Sequence, residues 1–207
     1  MNKLYVFGDS FTKGCGCLID DEYSIKYKRS DDKIWCEIIS EKLNMDLINH
    51  GVGLNSNDKI IDSIIKEFDL FDDSDVILIQ KTFSHRFDIP DIENRLLITI
   101  SPTQENLIDF HSKNYTKNYT KNEIAHINYI SILFDSNLYV ERQNLRFDFL
   151  KKMIESKKVK CLIWNINDYF HIDRIIDSTK GEINDFHWSF DGHKEVANDF
   201  YKIINSL

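Results

Sequence analysis

The sequence predicts an α/β fold in which helices cover both faces of a parallel sheet. Short apolar runs alternate with longer stretches in which apolar residues recur at helical spacing, a pattern typical of βαβ units. The run from Val76 to Gln80 has the largely β-branched, continuous apolar character of a parallel strand buried on both faces. The length of 207 residues suits one domain, and 42% hydrophobic residues suffice for a sizeable core.

In the first half of the chain each strand is followed by a helical pattern. Residues 3–7, which are apolar from Leu4 onward, predict a strand. The polar stretch 14–30 predicts a loop above it, and 32–43 fit an amphipathic helix. Residues 46–49 predict a second strand, which ends in the turn-forming sequence 49–53. Ser56 has the side chain of a helix N-cap, and the helix after it runs to about residue 68.

The second half continues this alternation after one irregular region. Residues 76–80 and 159–164 predict the third and fourth strands, and 190–207 predict a helix with one apolar face. The irregular region at about 83–135 contains two tandem copies of Lys-Asn-Tyr-Thr, and we expect an insertion with a polar surface loop. Helices are expected from about 121 to 157.

Composition and charge exclude several classes of function. The 34 acidic and 26 basic residues give a net charge of -8, which argues against an extended nucleic-acid surface. The sequence has neither an apolar run of about 18 residues nor a signal-peptide pattern, so we expect no membrane partner and a cytoplasmic location.

The four cysteines give no sign of a metal centre or disulfide framework. Cys36 and Cys161 lie in apolar contexts and are expected to be reduced core thiols. Cys15 and Cys17 could form a metal or redox pair, but no second pair at zinc spacing accompanies them. We therefore expect no bound metal.

The most informative residues are Gly8-Asp9-Ser10-Phe11, directly after the first predicted strand. A serine there lies at the carboxyl edge of the sheet, where open α/β folds bind ligands. It can act as a nucleophile if a base reaches it, and the alternative is a serine that only caps a turn. The segment from Asn184 to His193 supplies acidic, amide and imidazole groups near the other end of the chain.

These two segments together resemble the SGNH (GDSL) hydrolase family of esterases and acetylhydrolases. The resemblance covers most of the chain, in four blocks at 8–11, 49–57, 80–86 and 184–193. It implies a single SGNH hydrolase-like domain over residues 1–207. The expected architecture is a three-layer α/β/α sandwich with a flavodoxin-like parallel sheet of about five strands.

The resemblance assigns His187 as the catalytic base, because the family's histidine lies just before the last helix. His193 is the rival, but its place in the helix favours a packing or capping role. The family usually has Asp three residues before this histidine, where this sequence has Asn184. Asp185, two residues before, is the preferred group to orient His187, and Asn184 is the alternative.

The resemblance also implies donors for an oxyanion. They are the backbone N–H of Ser10 and that of Gly53, with Gly51 as second choice, in the block that ends at Asn57. The Gly-x-Asn-Asp block of the family is absent, and Thr82 aligns with its Asn position. Arg86, four residues on, is expected to pair with an acidic group of the substrate or with Asp88. This departure is similar to a divergent branch associated with phage and bacterial gene clusters.

The function that follows is that of a serine ester hydrolase with a Ser-His-Asp triad, either an esterase or an acetylhydrolase. Removal of O-acetyl groups from carbohydrates is one candidate reaction. The expected partner is a small ester or acylated carbohydrate, with no cofactor. The rival function, from another class, is a catalytically weak SGNH-like protein that binds glycans or proteins through the insertion. A nucleotide-binding function is disfavoured because no Gly-rich phosphate loop follows a strand.

Overall fold

The computed structural model describes residues 2–14, 33–84, 86–91, 96–100, 136–169 and 188–207. The described helices and strands follow one another as β1 (Lys3–Gly8), α1 (Ser10–Lys13), α2 (Trp35–Leu43), β2 (Asp46–Gly51), α3 (Asn57–Glu67), β3 (Val76–Lys81), β4 (Phe87–Asp91), β5 (Leu96–Ile100), α4 (Ser136–Ser156), β6 (Lys160–Asn165) and α5 (Phe190–Ser206). Short 3-10 helices follow α3, at Phe68–Leu70, and β6, at Ile166–Tyr169.

Four of the strands form one parallel sheet in the order β2-β1-β3-β6. The prediction of an α/β fold on a parallel sheet is therefore confirmed. The described sheet has four parallel strands, where the resemblance implied about five. β1 lies in the middle of the sheet, between β2 and β3, so the residues that follow β1 reach the centre of its carboxyl edge.

The two faces of the sheet carry two separate hydrophobic clusters, because side chains alternate between faces along a strand. One face of β1 contributes Leu4 and Val6, which are packed with residues of α2 and α5. The opposite face of β1 contributes Tyr5 and Phe7, which are packed with residues of α3 and α4. The helices therefore cover both faces, which gives three layers.

The ends of the helices follow local chemistry that the sequence indicates. The Ser56 side chain accepts a hydrogen bond from the Lys59 N–H and caps α3, so the prediction of this N-cap is confirmed. α2 ends at Asn44, whose φ of 52° lies in the left-handed region that asparagine tolerates better than most residues. Lys158, after α4, has a φ of 62° without that advantage.

The region from 83 to 135 differs from the prediction in the part that is described. It contains the antiparallel hairpin of β4 and β5, whereas a polar irregular loop was expected. The apolar sequence Leu-Leu-Ile-Thr-Ile of β5 is itself typical of a strand, and Pro90 in β4 is compatible with a strand at a sheet edge. The Lys-Asn-Tyr-Thr repeats and the polar stretch 15–32 lie outside the described residues.

No helix in the described part of the chain combines the length and the apolar composition that a membrane crossing needs.

Candidate active site

Ser10 lies where the sequence places it, directly beyond the central strand. β1 ends at Gly8, and Ser10 is the first residue of the single-turn helix α1. Only 7% of Ser10 is exposed to solvent. Ser10 therefore lies at the carboxyl edge of the sheet, which is the usual ligand side of an open α/β fold.

The turn that carries Ser10 is tightly built around Gly8 and Asp9. The Asp9 carboxylate accepts a hydrogen bond from the Phe11 N–H at 3.0 Å and thereby caps α1. A Cβ atom on Gly8 would lie 2.1 Å from the Thr12 hydroxyl and 2.6 Å from Oε1 of Gln80, so only glycine fits there. The turn therefore has little freedom to move relative to β3.

Asp9 is fully buried, and four donors surround its carboxylate. Oδ1 accepts from the Phe11 N–H and from Nε2 of Gln80 at 2.6 Å. Oδ2 accepts from the Thr82 hydroxyl at 2.5 Å and from Nη1 of Arg86 at 2.9 Å. A buried carboxylate is tolerated only with such pairing. These hydrogen bonds therefore stabilise the turn that carries Ser10.

Arg86 is paired differently from the expectation. Its salt bridge is to Asp9, at 2.9 Å, while Asp88 has a salt bridge to Lys59 at 3.5 Å and accepts a hydrogen bond from Ser56. The expected pairing of Arg86 with Asp88 is therefore replaced by a pairing with Asp9. Both carboxylates are largely buried and each has its own cation, because an uncompensated buried charge is costly.

Thr82 directs its hydroxyl into the same network. The hydroxyl has one proton, which it donates to Asp9, and its oxygen accepts from Nη1 of Arg86 at 2.8 Å. To donate to an oxyanion, Thr82 would have to give up the bond to Asp9. In this arrangement Thr82 stabilises the turn that carries Ser10.

The residues after β2 form a second turn beside the first. The Asn55 N–H donates to the Val52 carbonyl at 3.2 Å, which closes a turn around Gly53 and Leu54. Both the Val52 N–H and Nδ2 of Asn55 donate to the carbonyl of Gly8, each at 3.2 Å. These two bonds hold the Gly53 turn against the end of β1, next to the turn of Ser10.

Asn57 joins this second turn to β3 and to α4. Its Nδ2 donates to the Thr82 carbonyl at 3.1 Å and to Oε1 of Gln143 at 2.8 Å, and its Oδ1 accepts from the Thr82 N–H at 2.8 Å. Both protons of the Asn57 amide are therefore used within the protein. Asn57 is 2% exposed, and in this structure it supports the Thr82 segment instead of offering a donor to a substrate.

Three of the predicted site residues, Asn184, Asp185 and His187, lie outside the described residues. The next residue, Trp188, is described and is buried. Its ring contacts that of Phe11 edge-on, with 5.0 Å between centroids, and its Nε1 donates to the Tyr169 carbonyl at 3.3 Å. The sequence neighbours of Ser10 and of His187 therefore pack against each other.

His193, the rival base, has a structural role. It lies in the first turn of α5 and is 1% exposed. Its Nδ1 accepts a hydrogen bond from the Trp35 N–H at 3.3 Å, and its ring contacts Trp188 edge-on. The expectation that His193 packs within the fold is confirmed, and it ties the start of α2 to the start of α5.

The two described cysteines are free and buried, as expected. Burial raises the pKa of the Cys36 thiol far above its ordinary value, and it raises the pKa of Cys161 to about 12. Both thiols are therefore protonated at neutral pH and are poor nucleophiles. Cys15 and Cys17 lie outside the described residues.

Sequence reasoning missed the partners of Asp9. Gln80 is a fully buried amide in a central strand, and it joins Asp9 to the Thr12 hydroxyl, which donates to its Oε1 at 2.5 Å. The signal was present, because a polar residue within a continuous apolar strand needs a buried partner. The identity of that partner, 71 residues away, was not readable from local pattern.

Comparison with known proteins gives similarity in structure only. No protein-family model matches the chain, and no curated protein matches it either. Among solved structures, it is similar to a member of the lipolytic protein G-D-S-L family from Veillonella parvula, with 18% identity, a TM-score of 0.41 and full coverage of both chains. It is also similar to the aryl esterase of M. smegmatis, with 12% identity, a TM-score of 0.45 and full coverage of both chains.

A third similar structure is an acetyl xylan esterase from the rumen bacterium Butyrivibrio proteoclasticus, with 13% identity and a TM-score of 0.46. That match covers 99% of this chain and 63% of the esterase. By their names, one of these three similar structures is a lipolytic G-D-S-L protein and the other two are esterases.

Proposed function

We propose that this protein is a serine ester hydrolase that acts on small esters, including acetyl esters of carbohydrates. The observation that carries the proposal is the contact between Phe11 and Trp188, whose ring centroids are 5.0 Å apart. Each residue is the direct sequence neighbour of a proposed catalytic group, Ser10 or His187. A nucleophile and its base must come within hydrogen-bond reach, and this contact brings their two segments together.

In the proposed reaction, the Ser10 hydroxyl attacks the carbonyl carbon of the ester while His187 accepts its proton. The tetrahedral intermediate collapses when the C–O bond to the alcohol breaks, and His187 returns the proton to the departing alcohol. Water then attacks the acyl-Ser10 ester with His187 again as base, which releases the acid. Asp185 orients His187 and stabilises its positive charge.

The developing negative charge needs backbone donors near Ser10. The first N–H groups of a helix lack acceptors within the helix, and Ser10 is the first residue of α1. Gly53 supports the proposal through its place in the turn that is hydrogen-bonded to the carbonyl of Gly8. Removal of one oxyanion donor typically costs about 10²–10³ in rate, so both N–H groups matter.

The test is covalent labelling by a fluorophosphonate probe together with turnover of p-nitrophenyl acetate. Ser10→Ala and His187→Ala are compared with Ser74→Ala, an exposed serine in the turn before β3 at the opposite end of the sheet. We expect labelling and turnover in the wild type and in Ser74→Ala, and loss of both in Ser10→Ala. Full turnover in a folded Ser10→Ala variant would end the assignment.

One observation favours a second candidate, a catalytically weak protein of this fold that binds glycans or proteins. The Thr82 hydroxyl, at the position of the family's third oxyanion donor, is committed to Asp9. If folded wild-type protein shows neither labelling nor turnover above that of Ser10→Ala, this second candidate replaces the first. Binding to acetylated oligosaccharides would then be measured by calorimetry.

A further inference from the structure

We infer that Arg86 is a positioning residue that holds the turn of Ser10 and the turn of Gly53 in register. The inference rests on the proposed function, since it concerns the spacing of the nucleophile and an oxyanion donor. Arg86 itself need not touch the substrate. It acts through Asp9 on one side and through Asn55 on the other.

A single atom of Arg86 joins the two turns. Nη1 lies 2.9 Å from Oδ2 of Asp9, the residue directly before Ser10, and 3.2 Å from the carbonyl of Asn55, the residue that closes the Gly53 turn. It also donates to the Thr82 hydroxyl at 2.8 Å, which in turn donates to Asp9. One guanidinium nitrogen therefore contacts both turns and the end of β3.

The surroundings make these contacts rigid. The Arg86 side chain is 14% exposed and the Asp9 side chain is fully buried, so solvent screens the pair weakly. The guanidinium also lies over the ring of Phe83, 4.9 Å from its centroid. The backbone of Arg86 is held as well, because its carbonyl accepts from the Tyr139 hydroxyl at 3.3 Å and its N–H donates to Phe83.

Without Arg86, the direct bridge between the Asp9 side chain and the Gly53 turn is lost, while Asn55 and Val52 keep their bonds to the carbonyl of Gly8. The Asp9 side chain then reaches the second turn through a longer path, from the Thr82 hydroxyl and the Thr82 backbone to Asn57. A misplacement of catalytic groups by about 1 Å can cost about 10²-fold in rate. We therefore expect Arg86→Ala to lower kcat by about 10- to 100-fold with KM changed less than about twofold.

The matched control is Arg146→Ala. Arg146 is another partly exposed arginine in an ion pair, and its partner is Asp58 on α3 and not a residue of the two turns. We expect it to retain kcat and KM. Arg86→Lys keeps a donor and a positive charge near Asp9 and should recover most of the kcat that Arg86→Ala loses. A raised KM with unchanged kcat in Arg86→Ala would overturn the inference and indicate a substrate contact.

A second readout does not depend on activity. Hydrogen exchange followed by mass spectrometry should show faster exchange in Arg86→Ala for peptides that cover residues 8–14 and 51–56, and unchanged exchange in β3 and α5. In Arg146→Ala neither turn should change. Unchanged exchange in both turns of Arg86→Ala would overturn the inference. The two proposals can also fail separately. If the wild-type protein has no esterase activity but both turns exchange faster in Arg86→Ala, the positioning role of Arg86 stands and the proposed function is refuted.

Arg86→Ala also leaves a buried carboxylate unpaired, which could unfold the protein. The double variant Asp9→Asn, Arg86→Leu removes both charges and keeps an amide oxygen as acceptor for the cap of α1. If Arg86 acts by linking the turns, kcat stays low in this folded double variant. If kcat returns to the wild-type value, the defect of Arg86→Ala came from the unpaired charge, and the inference is overturned.

Discussion

Gly51 offers a sharp test of how α1 is positioned. β2 ends at Gly51, and a Cβ atom there would lie 2.4 Å from the backbone nitrogen of Lys13 and 2.7 Å from the carbonyl carbon of Thr12. Both atoms belong to the backbone of α1, so no side chain can rotate away. To reach ordinary contact, the gap between β2 and α1 must widen by about 1 Å.

α1 is the element that gives way. β2 is paired with β1 over six residues, from Lys3 with Asp46 to Gly8 with Gly51, whereas α1 is a single turn of four residues. Overpacking of this kind costs about 1–3 kcal/mol, while the loss of glycine's extra chain entropy returns about 0.5–1 kcal/mol. The net result expected for Gly51→Ala is a destabilisation of about 1–2 kcal/mol.

The effect on activity should exceed the effect on stability, because Ser10 is the first residue of α1. A shift of about 1 Å at the nucleophile predicts a loss of about 10²-fold in kcat/KM. Urea unfolding and p-nitrophenyl acetate turnover measure the two effects, with Asp46→Ala at the exposed start of the same strand as control. Wild-type stability and turnover in Gly51→Ala would show that the contact between β2 and α1 does not position Ser10.

Two further predictions concern stability alone. In the folded protein Cys36 and Cys161 keep their protons, because burial raises the pKa of each thiol. In the unfolded chain both thiols ionise near pH 9.0. The free energy of unfolding should therefore fall as pH rises above 9. The slope is about 1.4 kcal/mol per pH unit for each thiol, and urea unfolding from pH 8 to 10.5 should show a shallower slope in Cys161→Ala. If the slope is the same in the wild type and in Cys161→Ala, burial does not keep the Cys161 thiol protonated in the folded protein. Lys158→Gly should stabilise by about 0.5–1 kcal/mol, because the φ of 62° costs lysine but not glycine, and a lower urea midpoint in this variant would refute that reasoning.

The order of the sheet elements was predictable because local pattern and burial agree along most of the chain. β1, β3 and β6 are apolar runs bounded by turn-forming residues, and the N-cap Ser56 follows from its chemistry and its place before an apolar helical pattern. The hairpin of β4 and β5 does not follow from local pattern, because its strands are short and polar repeats lie downstream of it. Strands of five residues leave a weak periodic signal.

The position of Ser10 was predictable, but the network beneath it was not. The Gly-Asp-Ser sequence directly follows the first strand, so chain order alone places Ser10 next to the end of that strand. Asp9 and Arg86 are 77 residues apart, and no local rule distinguishes a partner at that distance from the nearby Asp88. In the fold Asp88 is paired with Lys59 and Ser56, and Arg86 lies against Asp9, a distribution of partners that depends on the three-dimensional arrangement.

The contact between α2 and α5 has a consequence for synthesis on the ribosome. β1, β2 and β3 can pair once residue 81 has emerged, but the Trp35 ring lies against Phe200, 5.3 Å away between centroids, and the Trp35 N–H against His193. At ordinary elongation rates, on the order of 10 s pass between the emergence of residue 81 and the emergence of His193 and Phe200. During that interval the side of α2 that carries Trp35 has no α5 to pack against, so an apolar surface that includes a tryptophan stays exposed to solvent until α5 is made.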